Sequence, residues 1–145
     1  MAIRKILVAY DGSEPASRAL EIASDIAKRY GAKLYVLHVV PLPEDYLSTY
    51  LYYPEMEDQL ISKLIEAGRN LLEKAREAAS SLSVDVETVL ERGDPGKKIV
   101  EKAEQLDVDL IVVGSTGKGQ IKKLILGSVS EKVIKLSSRP VLVVK

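Results

Sequence analysis

Short, β-branched apolar runs alternate with amphipathic helical stretches along almost the whole chain, and this alternation most constrains the fold. Apolar spacing predicts strands at residues 3 to 10, 33 to 39, 84 to 91, 109 to 113 and 140 to 144. Helices are expected over 14 to 30, roughly 55 to 82 and 95 to 106, with a further helix opening near Ser128. Gly31 follows Tyr30 as a helix stop, and Asp94-Pro95 supplies an N-cap followed by proline at the first helical position. In the longest helix, Leu60, Ile61, Leu64, Ile65, Gly68, Leu71, Leu72, Ala75, Ala78, Ala79 and Leu82 share one face at spacings of three and four. Strands that are apolar throughout, separated by helices, imply an α/β fold: a parallel sheet with helices on both faces and right-handed crossovers. The expectation is one doubly wound domain over residues 1–145, with no internal repeat or linker.

In such sheets a ligand sits at the carboxyl ends of the strands. Asp11, Val39, Gly93 with Asp94, and Gly114 all fall at predicted strand ends. The segment Val112-Val113-Gly114-Ser115-Thr116-Gly117 is followed, after nine residues, by Gly127-Ser128. It reads as a phosphate-binding loop, because glycines let a ligand approach the backbone while several N–H groups converge on one oxygen cluster. Ser128-Val129-Ser130-Glu131 has the Ser-x-x-Glu pattern of a capping box, and the start of that helix would offer amides and a positive dipole end to the same phosphates. Neither the Walker spacing nor the dinucleotide Gly-x-Gly-x-x-Gly is present. The loop is therefore of another kind.

Gly114-x-x-Gly117, nine residues and Gly127-Ser128 together resemble the Gly-2x-Gly-9x-Gly-(Ser/Thr) element of the ATP-binding branch of the universal stress protein family. Ile3 through Ser13 resembles that family's opening strand with its terminal aspartate, and Leu34 through Val40 its second strand. Glu91 through Pro95 resembles the third strand and its turn, and Ser138 through Val144 the closing strand. The resemblance implies a five-stranded sheet of order 3-2-1-4-5, with strands counted along the chain. It also implies ATP as ligand, with Mg or Mn held through the phosphates. The implied binding set is Asp11, Val39, Gly93, Gly114, Ser115, Gly117, Lys118, Gly127, Ser128, Val129 and Ser130. Within it, Asp11 would accept a hydrogen bond from the adenine or ribose region, and the backbone at Val39 would meet the adenine edge. A homodimer through strand 140–144 is implied as well. The functional expectation is a nucleotide-dependent switch in stress response or signalling, acting on an unknown protein partner. A slow or partner-dependent ATP hydrolase is the alternative, since no general base, Walker-type lysine or arginine finger stands out.

Several of these residues also have plainer readings. Asp11 fits an Asp-Gly-Ser turn that helps cap a helix at Ser13. Ser128 fits a capping serine, and Ser130 a solvated hydroxyl. Lys118, Lys122 and Lys123 fit a solvated helix face, with only Lys118 near enough to the glycines to reach a phosphate. His38, the only histidine, lies on an apolar strand and reads as structural. Tyr46, Tyr50, Tyr52 and Tyr53 crowd a proline-bounded loop and fit either a lid or a partner surface. A phosphoreceiver domain shares the fold class but would want an acidic pair after the first strand, where Tyr10-Asp11 supplies one acid. Zero net charge argues against nucleic acid or an anionic membrane as partner. The absence of cysteine excludes disulfides and thiol chemistry, and short apolar runs without a signal sequence suggest a cytoplasmic protein.

Overall fold

The computed structural model describes residues 2–41, 54–116 and 126–145. Among the described residues, nine elements follow one another: β1 (Lys5–Ala9), α1 (Glu14–Tyr30), β2 (Lys33–Val40), α2 (Pro54–Ser80), β3 (Val86–Arg92), α3 (Pro95–Leu106), β4 (Leu110–Gly114), α4 (Ser128–Leu136) and β5 (Val141–Val144). All four strand pairings are parallel, and the sheet order is β3-β2-β1-β4-β5. This is the expected α/β architecture. The strand order reverses at β1, so one polypeptide half winds outward on each side of it.

Strands buried on both faces account for the unbroken apolar runs. Ile6, Val8, Leu34, Val36 and Val112 face α1 and α2, while Leu7, Leu37, Ile111 and Val113 face α3 and α4. The inner face of α1 is built from Leu20 and from Ala16, Ala19, Ala23 and Ala27, whose small side chains let the helix lie close to the sheet. Truncating a fully buried residue such as Ile6 or Leu34 to alanine would cost about 2–5 kcal/mol.

The helices at 14–30 and 95–106 begin and end where the sequence predicts. Gly31 closes α1 at φ 65° and its N–H reaches the Ala27 carbonyl. Asp94 caps α3 by accepting the Lys97 N–H, with Pro95 as the first helical residue. The strands differ by one or two residues: β1 is shorter than expected, and β3 begins at Val86 because Ser83 takes a positive φ of 62° and swings Val84 into the core before the ladder starts. The capping box does not form. The N-cap of α4 is Gly127, one residue before the expected serine, so Ser128 occupies the first helical position.

The amino end of the sheet is closed by side chains that grip backbone. The Asp109 carboxylate accepts the N–H groups of Arg4 (2.8 Å) and Lys5 (3.0 Å), which hold its pKa below the usual carboxylate range. Lys5 donates to the Leu106 carbonyl, and Arg139 to the Asp107 carboxylate and the Val108 carbonyl. The carboxyl end is built differently, around a cavity.

Candidate functional site

A cavity of about 400 Å³ opens at the carboxyl ends of β1, β2 and β4. Its lining is largely apolar: Ala9, Leu37, Val39 and Val113 of the sheet and Ile99 of α3 form the floor, and Leu64 and Leu71 of α2 the roof. Asp11, Gly127 and Ser128 line it as well, so polar groups converge where the apolar floor ends.

Asp11 follows β1 and accepts the Ser13 N–H at 2.9 Å, while Ser13 in turn accepts the Ala16 N–H and caps α1. The turn reading of Asp11 is therefore realised, and the same residue also lines the cavity. Val39 is 8% exposed, with its side chain in the core and its position on the cavity wall. Gly93 does not reach the cavity lining: it turns the chain from β3 into α3 at φ 132°, where a side chain would be strained. Gly114 lines the cavity, and a Cβ there would stand 2.9 Å from the Ala16 nitrogen and from Pro15. Its missing side chain lets the start of α1 press onto the end of β4.

Ser115 is 5% exposed and lies behind the cavity wall, where its N–H donates to the Val144 carbonyl at 2.7 Å. Gly127 donates its N–H to the Ser115 carbonyl at 2.6 Å. Ser128 is exposed on the cavity side, and Val129 is half-buried on the wall. Ser130 is 2% exposed, and its hydroxyl donates into protein carbonyls instead of being solvated. Gly117, Lys118, Lys122, Lys123 and the tyrosines at 46, 50, 52 and 53 lie outside the described residues.

The helices α1, α3 and α4 start at this rim, and their first turns differ. Ser13 caps α1 and Asp94 caps α3, whereas among the described residues no side chain caps α4. Burial alone would raise the Asp94 carboxyl, but the Lys97 N–H and the Lys132 ammonium at 3.1 Å outweigh it and hold its pKa below the ordinary value. Uncapped amides at the positive end of a helix dipole favour an anion, and an apolar floor favours a flat, weakly polar ring. The two chemistries meet in one cavity.

The sequence reading missed how α2 roofs the site. His38 bonds the Tyr10 carbonyl through Nδ1 at 2.8 Å; a carbonyl only accepts, so Nδ1 carries the proton. This ties the ends of β1 and β2 together. A Cβ on Gly68 would fall 2.7 Å from His38 Cδ2, so the mid-helix glycine is what lets α2 settle over the imidazole. A glycine interrupting a helical apolar stripe was the available signal. Thr116, Pro95 and Tyr10 complete the wall.

The profile of the Universal stress protein family matches residues 2–145. The chain belongs to that family. It is 39% identical to universal stress protein YxiE of Bacillus subtilis, over 97% of this chain and 98% of that one. The solved structure of hypothetical protein MJ0577 superposes with a TM-score of 0.87 at 35% identity, covering 100% of this chain and 97% of that chain; the same protein of Methanocaldococcus jannaschii is described as a universal stress protein. A universal stress protein from Archaeoglobus fulgidus, solved in complex with dAMP, matches with a TM-score of 0.70 at 26% identity over the full length of both chains. Another, solved in complex with cAMP, matches with a TM-score of 0.70 at 28% identity over 99% of this chain and 98% of that one. Among the described residues of this family member, no helix is long and apolar enough to cross a membrane, and no cluster of three or more His, Asp or Glu side chains would hold a metal ion.

Proposed function

We propose that this universal stress protein binds ATP in the rim cavity and uses its occupancy as a switch in stress response or signalling. One observation carries the reading: a single cavity joins an apolar floor to the uncapped first turn of α4. The adenine would lie on the floor near Val39, with Asp11 toward the ribose. The phosphates would reach the amides of Ser128 and Val129, just past Gly127, joined by Gly114, Gly117 and Lys118 as the loop motif implies. Complexes of two family members with dAMP and cAMP support an adenine nucleotide as the ligand class. A divalent ion, Mg or Mn, would be held mainly through the phosphates. Turnover is secondary in this reading, because the Asp11 carboxylate at the rim is already engaged with the Ser13 amide.

Calorimetry should show saturable ATP binding by the wild type and at least about tenfold weaker binding by folded Gly127→Val, whose side chain would crowd the backbone approach. Equal affinity in the two proteins would overturn the reading. The same proposal includes a homodimer through the outer edge of β5, where Leu142 is 36% exposed and Val141 to Val144 are strong β-formers. Val143→Pro should remove a ladder donor and shift light scattering from dimer toward monomer; a wild type that scatters as a monomer at tens of micromolar defeats this part.

A further inference from the structure

Ser130 stands at the third position of α4, in a first turn whose N-cap is a glycine. Its hydroxyl lies 2.8 Å from the Ser115 carbonyl and 3.1 Å from the Gly127 carbonyl. A serine hydroxyl has one proton, and both neighbours can only accept, so that proton is committed to the protein. The Ser115 carbonyl also receives the Gly127 N–H, and the Ser115 N–H is fixed to β5 through the Val144 carbonyl. Together these bonds make a closed ring. It joins the end of β4 to the first turn of α4, with β5 behind it.

We propose that Ser130 is a positioning residue that holds the α4 first turn in register with β4, so that the amides of Ser128 and Val129 converge on a phosphate while Ser130 itself donates nothing to it. The proposal rests on the nucleotide reading above and assigns Ser130 a different part in it from Ser128, which is exposed to the cavity. The logic follows from the N-cap. A side chain there would orient the helix but would also cover the amides a ligand needs, as Asp94 does at α3. Glycine leaves them clear and, beyond its own N–H bond to Ser115, supplies no side chain to orient them. Ser130 supplies that bond from inside the helix, out of the ligand's way.

The test compares ATP with adenosine, because a misaligned first turn should weaken only what touches the phosphates. In Ser130→Ala, ATP affinity should fall about tenfold or more while adenosine affinity stays within about twofold. Ser130→Thr, which keeps the hydroxyl, should retain ATP affinity within about threefold. If Ser130→Ala folds poorly, Ser130→Thr and Ser130→Val, matched in shape, isolate the hydroxyl with the same expected split. Equal losses for ATP and adenosine, or no loss for ATP, overturn the proposal. Amide hydrogen exchange on the ligand-free proteins reads the ring directly: the Gly127 N–H should exchange about tenfold faster in Ser130→Ala, and an unchanged rate overturns the proposal. Should the wild type bind neither ligand, the nucleotide reading fails, and the Gly127 exchange rate still decides whether Ser130 holds the turn.

Discussion

The first turns of α3 and α4 stand on the same face of the sheet and are made for opposite purposes. At α3 the positive end of the helix is already neutralised: Asp94 accepts the Lys97 amide and is itself held by Lys132, a residue of α4. At α4 the equivalent place is a glycine, and the side-chain bond that fixes the turn comes from the buried Ser130. A negative ligand drawn to this rim therefore meets a carboxylate at one helix and bare amides at the other. In the proposed complex, charge complementarity, more than cavity shape, would determine which helix the phosphates meet.

The most damaging way to break this contrast is to make α4 resemble α3. Gly127 has extended backbone (φ −82°, ψ 170°) that any residue can adopt, so Gly127→Asp should cap the helix with its own carboxylate. ATP affinity should drop by about 100-fold or more while the melting temperature is kept or slightly raised, since an aspartate cap in place of glycine adds only about a few tenths of a kcal/mol. Calorimetry and thermal melts decide it; unchanged affinity would mean the phosphates do not use this turn. Gly68→Ala is the intermediate case and leaves both helix starts alone. A Cβ 2.7 Å from the His38 ring should destabilise the fold by about 1–3 kcal/mol and weaken adenosine and ATP alike, because it disturbs only the roof and floor. A loss confined to ATP would contradict that division.

The smallest effect belongs to α3. Asp94→Asn should change ATP affinity less than about threefold, since its carboxylate serves the helix and not the cavity. It should instead alter the acid response. The folded-state pKa of Asp94 is depressed, so its contribution is present above the unfolded value of about 3.9 and disappears as pH falls through the lower folded value. Asp109 titrates with the same sign at the opposite end of the sheet. Melting temperatures at pH 5 and pH 3 should therefore fall less in Asp94→Asn than in the wild type. An equal fall in both would show that Asp94 has no such share.

Where the sequence carried chemical punctuation, it could be read closely. Both ends of α1 and α3 are legible because Gly31, Asp94 and Pro95 act locally, through φ, a cap and a missing N–H. The sheet order came from the family resemblance, and the strand ends shifted where Ser83 turned unexpectedly. The first turn of α4 was misread for a physical reason: Ser-x-x-Glu fits a capping box one residue later than the real helix start, which Gly127 fixes through its bond to Ser115. That bond joins residues far apart in the chain, as does the one from Ser130, and no local pattern announces either. Periodicity likewise gave the apolar face of α2 but not what it would cover. Gly68 fits only once His38 is seen beneath it.

The clamp that Asp109 places on Arg4 and Lys5 joins residues more than a hundred positions apart, and β1 lies between β2 and β4. During synthesis the first strand made is thus one of the last to be enclosed: β2 can pair with it early, but its other edge stays bare until residues 110–114 leave the ribosome. Such late closure makes folding depend on non-local pairing. Nascent chains released before and after residue 114 should differ sharply in protease resistance, and a gradual gain with length would show that the half-sheet already protects itself.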